Sequence, residues 1–201
     1  MQIHFSLTHY YRRGSEPFRS LSSLPEADAL RIMQDLYIEG SAIWQRFRDP
    51  LGYLRARRQT EGWLRQAFIA KGGQPTLDYP IYFVIGSPKW VQRVADPLTL
   101  ATTTEIQVPL SIFKETEISF TYPDSMVSRA MEIEKNPGYY QPGYHGNVFT
   151  RSEILAIIAQ KGLPDEGWET DVPDTLAHYI EAQAWNHAPL TKFLQTTTPR
   201  P

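Results

Sequence analysis

The spacing of apolar residues changes at Lys71-Gly72-Gly73, and that change limits the folds open to this chain. Before it, Ala29, Ile32, Met33 and Leu36 recur at helical spacing, and a longer helix is predicted from Leu51 to Ala70. After it, Ile81-Tyr82-Phe83-Val84-Ile85 is β-branched and aromatic, bounded by Pro80 and Gly86, and reads as a buried strand. Glu105–Val108 and Glu117–Thr121 are further strand candidates, and Ile3, Phe5 and Leu7 alternate with polar residues as an opening strand ending at Leu7-Thr8-His9. The expectation is an α+β fold. Its N-terminal third is helical, its sheet is small and mixed or antiparallel, and one domain spans residues 1–195 ahead of a flexible tail, 196–201.

Local signals refine this outline. Ser23-Leu24-Pro25-Glu26 reads as a capping box opening a helix that Gly40 closes. A short helix carrying Ile43, Trp44 and Phe47 ends at Asp49-Pro50, and another is predicted within Pro88–Ala95. Asp124 or Ser125 starts a helix, and Thr150-Arg151-Ser152-Glu153 is a second capping box leading to Gly162. Residues 136–146 form an aromatic loop without periodicity, with Tyr139, Tyr140, Tyr144 and His145 either rimming a ligand or stapling the loop down.

Composition narrows the function classes. With 201 residues, 41% apolar and 21% charged, the chain has the makings of a packed core. It has no cysteine, which excludes disulfides, thiolate metal sites and cysteine nucleophiles. The five histidines show no metal-ligand clustering, so no metal is expected. The longest apolar run, Ile81–Ile85, is too short for a bilayer, and Met1-Gln2-Ile3-His4-Phe5 lacks a signal-peptide pattern, so a cytoplasmic location is expected. Charge is uneven. Residues 42–73 carry Arg46, Arg48, Arg55, Arg57, Arg58, Arg65 and Lys71 against Asp49 and Glu61, within a chain of net charge −2. Such a block is either a phosphate-binding surface or a solvated helix face.

The most informative short segment is Tyr179-Ile180-Glu181-Ala182-Gln183-Ala184-Trp185. As a strand it sets Ile180, Ala182 and Ala184 on one face and Glu181 and Gln183 on the other, fixing a carboxylate on a rigid element. As a helix, which the Ala, Glu and Gln content favours, it leaves Glu181 in solvent.

Four segments in order carry a family resemblance. Leu7-Thr8-His9, Asp78-Tyr79-Pro80-Ile81-Tyr82-Phe83 with Ser87-Pro88, Phe120-Thr121-Tyr122-Pro123-Asp124, and Ile180-Glu181-Ala182-Gln183-Ala184 together resemble the DarT-type DNA ADP-ribosyltransferase toxins. The likeness touches about 30 residues and includes no counterpart to residues 133–172. It implies an ADP-ribosyltransferase fold that consumes NAD as substrate and transfers ADP-ribose to an acceptor. The partners it implies are single-stranded DNA or other nucleic acid and an antitoxin protein.

The resemblance further implies that Glu181 is the catalytic carboxylate and that His9, with Thr8, holds the nicotinamide ribose. Tyr82 or Trp90 would stack on nicotinamide, and Arg58 or Arg65, with Arg57 a third candidate, would be the functional arginine. The chemistry suits these residue types, because a carboxylate stabilises the oxocarbenium-like state of N-glycosidic cleavage and a guanidinium forks onto pyrophosphate. Each residue also has a plainer reading. His9 fits a satisfied core histidine, Tyr82 and Trp90 fit core aromatics, and Asp124-Ser125 fits a helix cap. The competing function is a non-catalytic module that binds nucleic acid or protein through the Arg-rich 42–73 helices.

Overall fold

The computed structural model describes residues 5–41, 43–95, 97–164 and 177–197. Strands β1 (Ser6–Arg12), β2 (Ile81–Ile85), β3 (Thr103–Pro109), β4 (Ile118–Thr121) and β5 (Glu181–Ala184) form one sheet in the order β3-β1-β2-β5-β4. Every pairing is antiparallel. Helices α1 (Glu26–Leu36) and α2 (Pro50–Ala70) fill the stretch between β1 and β2. Then come α3 (Lys89–Val94), α4 (Pro97–Thr102), α5 (Ser125–Glu134), α6 (Arg151–Lys161) and α7 (Ala188–Thr197). The fold is α+β in a single domain with the expected helix-rich N-terminal third, and of the two sheet types expected, mixed or antiparallel, the sheet is antiparallel.

Cross-strand register sorts the side chains onto two faces, since directly opposed residues point the same way. One face carries Leu7, Ile85, Phe83, Ala182 and Phe120, and packs on Ile154 and Ile158 of α6 and Leu190 of α7. At about 1.5–3 kcal/mol per large side chain withdrawn from water, this layer dominates the favourable term of folding. The other face carries Thr8, Val84, Glu181 and Thr121 in one row. Over its far end Leu64 and Phe68 of α2 pack with Val148 and Trp185. A third cluster, Ala29, Met33, Phe47 and Leu54, ties α1 to α2. Segment 181–184 is therefore a strand. Its helix-favouring composition is overridden because β5 is paired on both sides and buries Ala182 and Ala184 completely.

Several local expectations are corrected. Ser23 makes no capping box; its hydroxyl donates to the Ser20 carbonyl at 2.7 Å within a 3-10 turn, and Pro25 occupies the α1 cap without a side-chain bond. The segment around Phe47 is a 3-10 turn, Gln45–Phe47, while Asp49 caps α2 by accepting the Gly52 N–H at 2.9 Å. β1 does not end at His9. It runs on to Arg12 because β3 pairs along its whole length, which places His9 in mid-strand. Of the expected tail, Thr196 and Thr197 belong to α7, whose Leu194 packs on the main core; 198–201 lie outside the described residues. Ile3 of the predicted opening strand also lies outside them. The second capping box forms as expected, with Thr150 and Glu153 bonded reciprocally at 2.8 and 3.3 Å, and Gly162 follows at φ +80°.

Candidate functional site

β1 pairs with β2 only at Leu7↔Ile85 and Thr8↔Val84, whereas its pairing with β3 continues to Arg12↔Thr103. Beyond Thr8 the two central strands therefore part. A cavity of about 930 Å³ occupies the opening, roofed by α1, α2 and the 3-10 turn between them. Thr8, His9, Tyr82, Trp90 and Glu181, far apart in sequence, all line it. Arg46, Arg57, Asp124 and Tyr179 line it too.

Glu181 opens β5 and is set on the cavity side by the alternation that buries Ala182 beneath it. Its Oε2 accepts the Ser125 backbone N–H at 2.9 Å and the Gln183 side-chain amide at 3.1 Å. Asp124 caps the same helix, with Oδ1 accepting the Met126 and Val127 N–H groups at 3.1 Å each. Two carboxylates thus share the N-terminus of α5, where free backbone donors and the helix dipole favour negative charge. Burial, with the Asp124 charge adding to it, still pushes Glu181 up to about 7, against the bonds from Ser125 and Gln183. Burial also raises Asp124, opposed by the α5 amides and the positive charges of Arg46 and Arg57.

His9 spends both ring nitrogens on backbone. Nε2 accepts the Phe18 N–H at 3.0 Å, which requires the proton on Nδ1, and Nδ1–H donates to the Tyr82 carbonyl at 2.8 Å. Burial lowers its pKa, outweighing the Tyr82 bond, so the ring is neutral. It stacks among Tyr11, Phe18 and Phe83, and strand alternation puts it on the face opposite Glu181. The residue in the Glu181 row is Thr8, whose hydroxyl donates to the Gly86 carbonyl.

Tyr82 projects to the cavity side. Its hydroxyl donates to Glu61 Oε1 at 3.0 Å and the Arg57 guanidinium lies 4.4 Å above its ring. Arg57 also donates to Glu61 Oε1 at 3.0 Å and to the Ser22 hydroxyl at 3.2 Å. Burial works against its charge, but Tyr53, Tyr82 and Glu61 hold Arg57 firmly protonated. Trp90 packs 5.5 Å from the Tyr179 ring. Burial and the charges of Asp124 and Glu181 together hold the Tyr179 hydroxyl protonated.

Arg58 and Arg65 stand elsewhere. Arg58 donates to the Ser22 and Leu24 carbonyls at 3.1–3.3 Å, and Arg65 to the Pro75 and Leu77 carbonyls at 3.4–3.5 Å; neither lines the cavity. Arg46 does, its guanidinium 5.2–5.9 Å from the rings of Phe47, Trp44 and Tyr53 and without an ion pair among the described residues. Sequence reasoning left Arg46 unranked because nothing local distinguishes it from its basic neighbours. The Tyr-rich loop takes no part in the cavity; Tyr144 and His145 are buried, and Tyr144 packs edge-on against Tyr122.

The chain matches no family model, no curated protein and no solved structure. Among the described residues no cluster of side chains has the makings of a metal site, and no helix is long and apolar enough to cross a membrane.

Proposed function

We propose that the cavity binds NAD+ and that the protein is an ADP-ribosyltransferase-like enzyme transferring ADP-ribose to an acceptor, with nucleic acid the acceptor class first to be tested. The observation that carries this reading is Glu181, presented from a strand into a cavity beside Asp124, whose charge feels Arg46 and Arg57 on the same cavity wall. In the reaction the bond from ribose C1′ to the nicotinamide nitrogen breaks. Its electron pair leaves with neutral nicotinamide, and C1′ becomes oxocarbenium-like. A carboxylate beside that carbon stabilises the developing charge. The acceptor then bonds to C1′ and gives up its proton.

A Glu181 titrating near neutrality suits both duties. The cationic nicotinamide ring favours its ionised form on binding, and the ionised carboxylate takes the acceptor proton afterwards. Arg46 and Arg57, which line the cavity, would supply the guanidinium groups for pyrophosphate, one with no ion pair among the described residues and one held over Tyr82. His9 contributes shape: it fixes the 13–18 turn against the parted strands, and the ribose contact falls to Thr8 and its row.

The alternative of a binding module using residues 42–73 draws less support. Arg57, Arg58, Arg65 and Lys71 are committed to Glu61, backbone carbonyls and Glu153, which leaves Arg46, Arg48 and Arg55 for an external phosphate surface. The test is mass spectrometry for nicotinamide release and for a mass gain of one ADP-ribose unit on oligonucleotides incubated with NAD+. Wild-type activity that vanishes in Glu181→Gln supports the reading. Absence of nicotinamide release from wild type, or full release by the variant, overturns it.

A further inference from the structure

Beneath Glu181 runs a chain of four side chains, each fully buried, that no substrate can reach. Trp185 Nε1–H donates to Ser119 Oγ at 2.8 Å, and Ser119 Oγ–H donates to Gln183 Oε1 at 2.9 Å. The Gln183 amide then donates to Thr121 Oγ1 at 3.0 Å and to Glu181 Oε2 at 3.1 Å. Ser119, Thr121, Gln183 and Trp185 are each 0% exposed. The direction of the chain is fixed by chemistry. Indole nitrogen only donates, so Ser119 accepts there. An ionised Glu181 carboxylate only accepts, so the Gln183 amide nitrogen faces it and the amide oxygen takes the Ser119 proton.

We infer that Gln183 is a positioning residue for Glu181: anchored by Ser119 and Trp185, it pins Oε2 and so fixes how the carboxylate faces the cavity. The inference rests on the functional reading above. Three features make it more than core packing. The Gln183 amide and the Ser125 N–H converge on Oε2, and the Ser125 hydroxyl bonds the same carboxylate, so its orientation is held from strand and helix together. Buried polar side chains in a strand are costly unless fully paired, and this row pairs through four consecutive groups where apolar residues would pack at no such cost. The register Ser119↔Gln183 and Thr121↔Glu181 holds the amide and the carboxylate on two paired strands rather than on a loop.

Glu181 also feels Asp124 from the α5 cap, Tyr82 from β2 and Tyr179 from the strand entry, with Arg46 and Arg57 beyond Asp124. The amide donor acts within this set by favouring the ionised carboxylate. Removing it makes Glu181 harder to ionise and lets the carboxyl rotate.

The decisive measurement is the carboxyl ¹³C titration of Glu181 in wild type, Gln183→Met and Gln183→Glu, assigned with Glu181→Gln, alongside kcat and KM for NAD+ cleavage. The expected result is a Glu181 midpoint raised by about one pH unit in Gln183→Met, from the loss of a hydrogen bond to a charged group. With it go a kcat about ten-fold lower and a KM near that of wild type. Gln183→Glu is isosteric, keeps the bond from Ser119 and sets a third carboxyl beside Glu181, so it raises the midpoint even if the Met variant folds poorly. Wild-type turnover together with unshifted titration and unchanged kcat in the variants overturns the positioning role. Shifted titration in a wild-type protein that cannot cleave NAD+ leaves the positioning intact and overturns the functional reading instead.

Discussion

Glu181 acts in opposite senses on activity and on stability. Its carboxyl titrates near 7 in the fold against an ordinary value of 4.5, so between those limits the native state binds more protons than the unfolded chain. Stability from this group is full at low pH and falls as pH rises through the window. His9 runs the other way. Its lowered pKa means that the unfolded chain binds the extra proton, so its contribution rises with pH toward 6.5. Glu181→Gln should therefore abolish transfer yet raise the melting temperature at pH 8 by a few degrees, an effect on the order of 1–3 kcal/mol. Its stability should fall less, or rise more, than that of wild type between pH 5 and 6.5, because the Glu181 contribution is gone and that of His9 remains, which thermal melts of both proteins across that range will check. The arginines separate in the same manner. Arg46→Ala should weaken NAD+ binding about ten-fold with little change in melting temperature, because it removes no buried bond. Arg58→Ala removes the donor of three bonds to the Ser22 and Leu24 carbonyls and should cost about 1–3 kcal/mol, while calorimetric NAD+ affinity stays put.

Among the elements, α5 decides the electrostatics of the cavity floor. A helix N-terminus offers several free N–H groups, and here Asp124 takes those of Met126 and Val127 while Glu181 takes that of Ser125. Asp124→Asn keeps the capping oxygen and removes the second negative charge, so the fold should be held to within about 1 kcal/mol. Glu181 then ionises more readily, and the acid limb of the pH–rate profile should move to lower pH. An unmoved limb would show that Asp124 does not govern Glu181. β5 shows how far an element departs from local preference. Ala182, Gln183 and Ala184 favour helix, but strands on both flanks and the fully buried row Ser119–Gln183 reward the extended form.

At the scale of the whole molecule, a ligand that bridges β1, β2, β5, α2 and α5 binds the folded state alone and so stabilises it. Saturating NAD+ at about a hundred times its Kd should add about 2.7 kcal/mol, and so raise the melting temperature by roughly 5–10 °C. A flat response would remove NAD+ as the ligand. Much of this architecture was written in the chain: the switch of period at Gly72-Gly73, the strand at Ile81–Ile85 and the Thr150–Glu153 capping box all follow from spacing and residue type. Local chemistry determines these, because the period of an element and the donors at its ends are properties of a few consecutive residues. The site was legible only as scattered candidates. That His9 closes on backbone, that Thr8 shares a row with Glu181, that Asp124 stands beside it, and that Arg46 and Arg57 reach the cavity while Arg58 and Arg65 do not were decided by register and by where β1 leaves β2. Those are contacts between residues up to about 170 positions apart, and no local pattern encodes which of several like side chains tertiary packing will bring together.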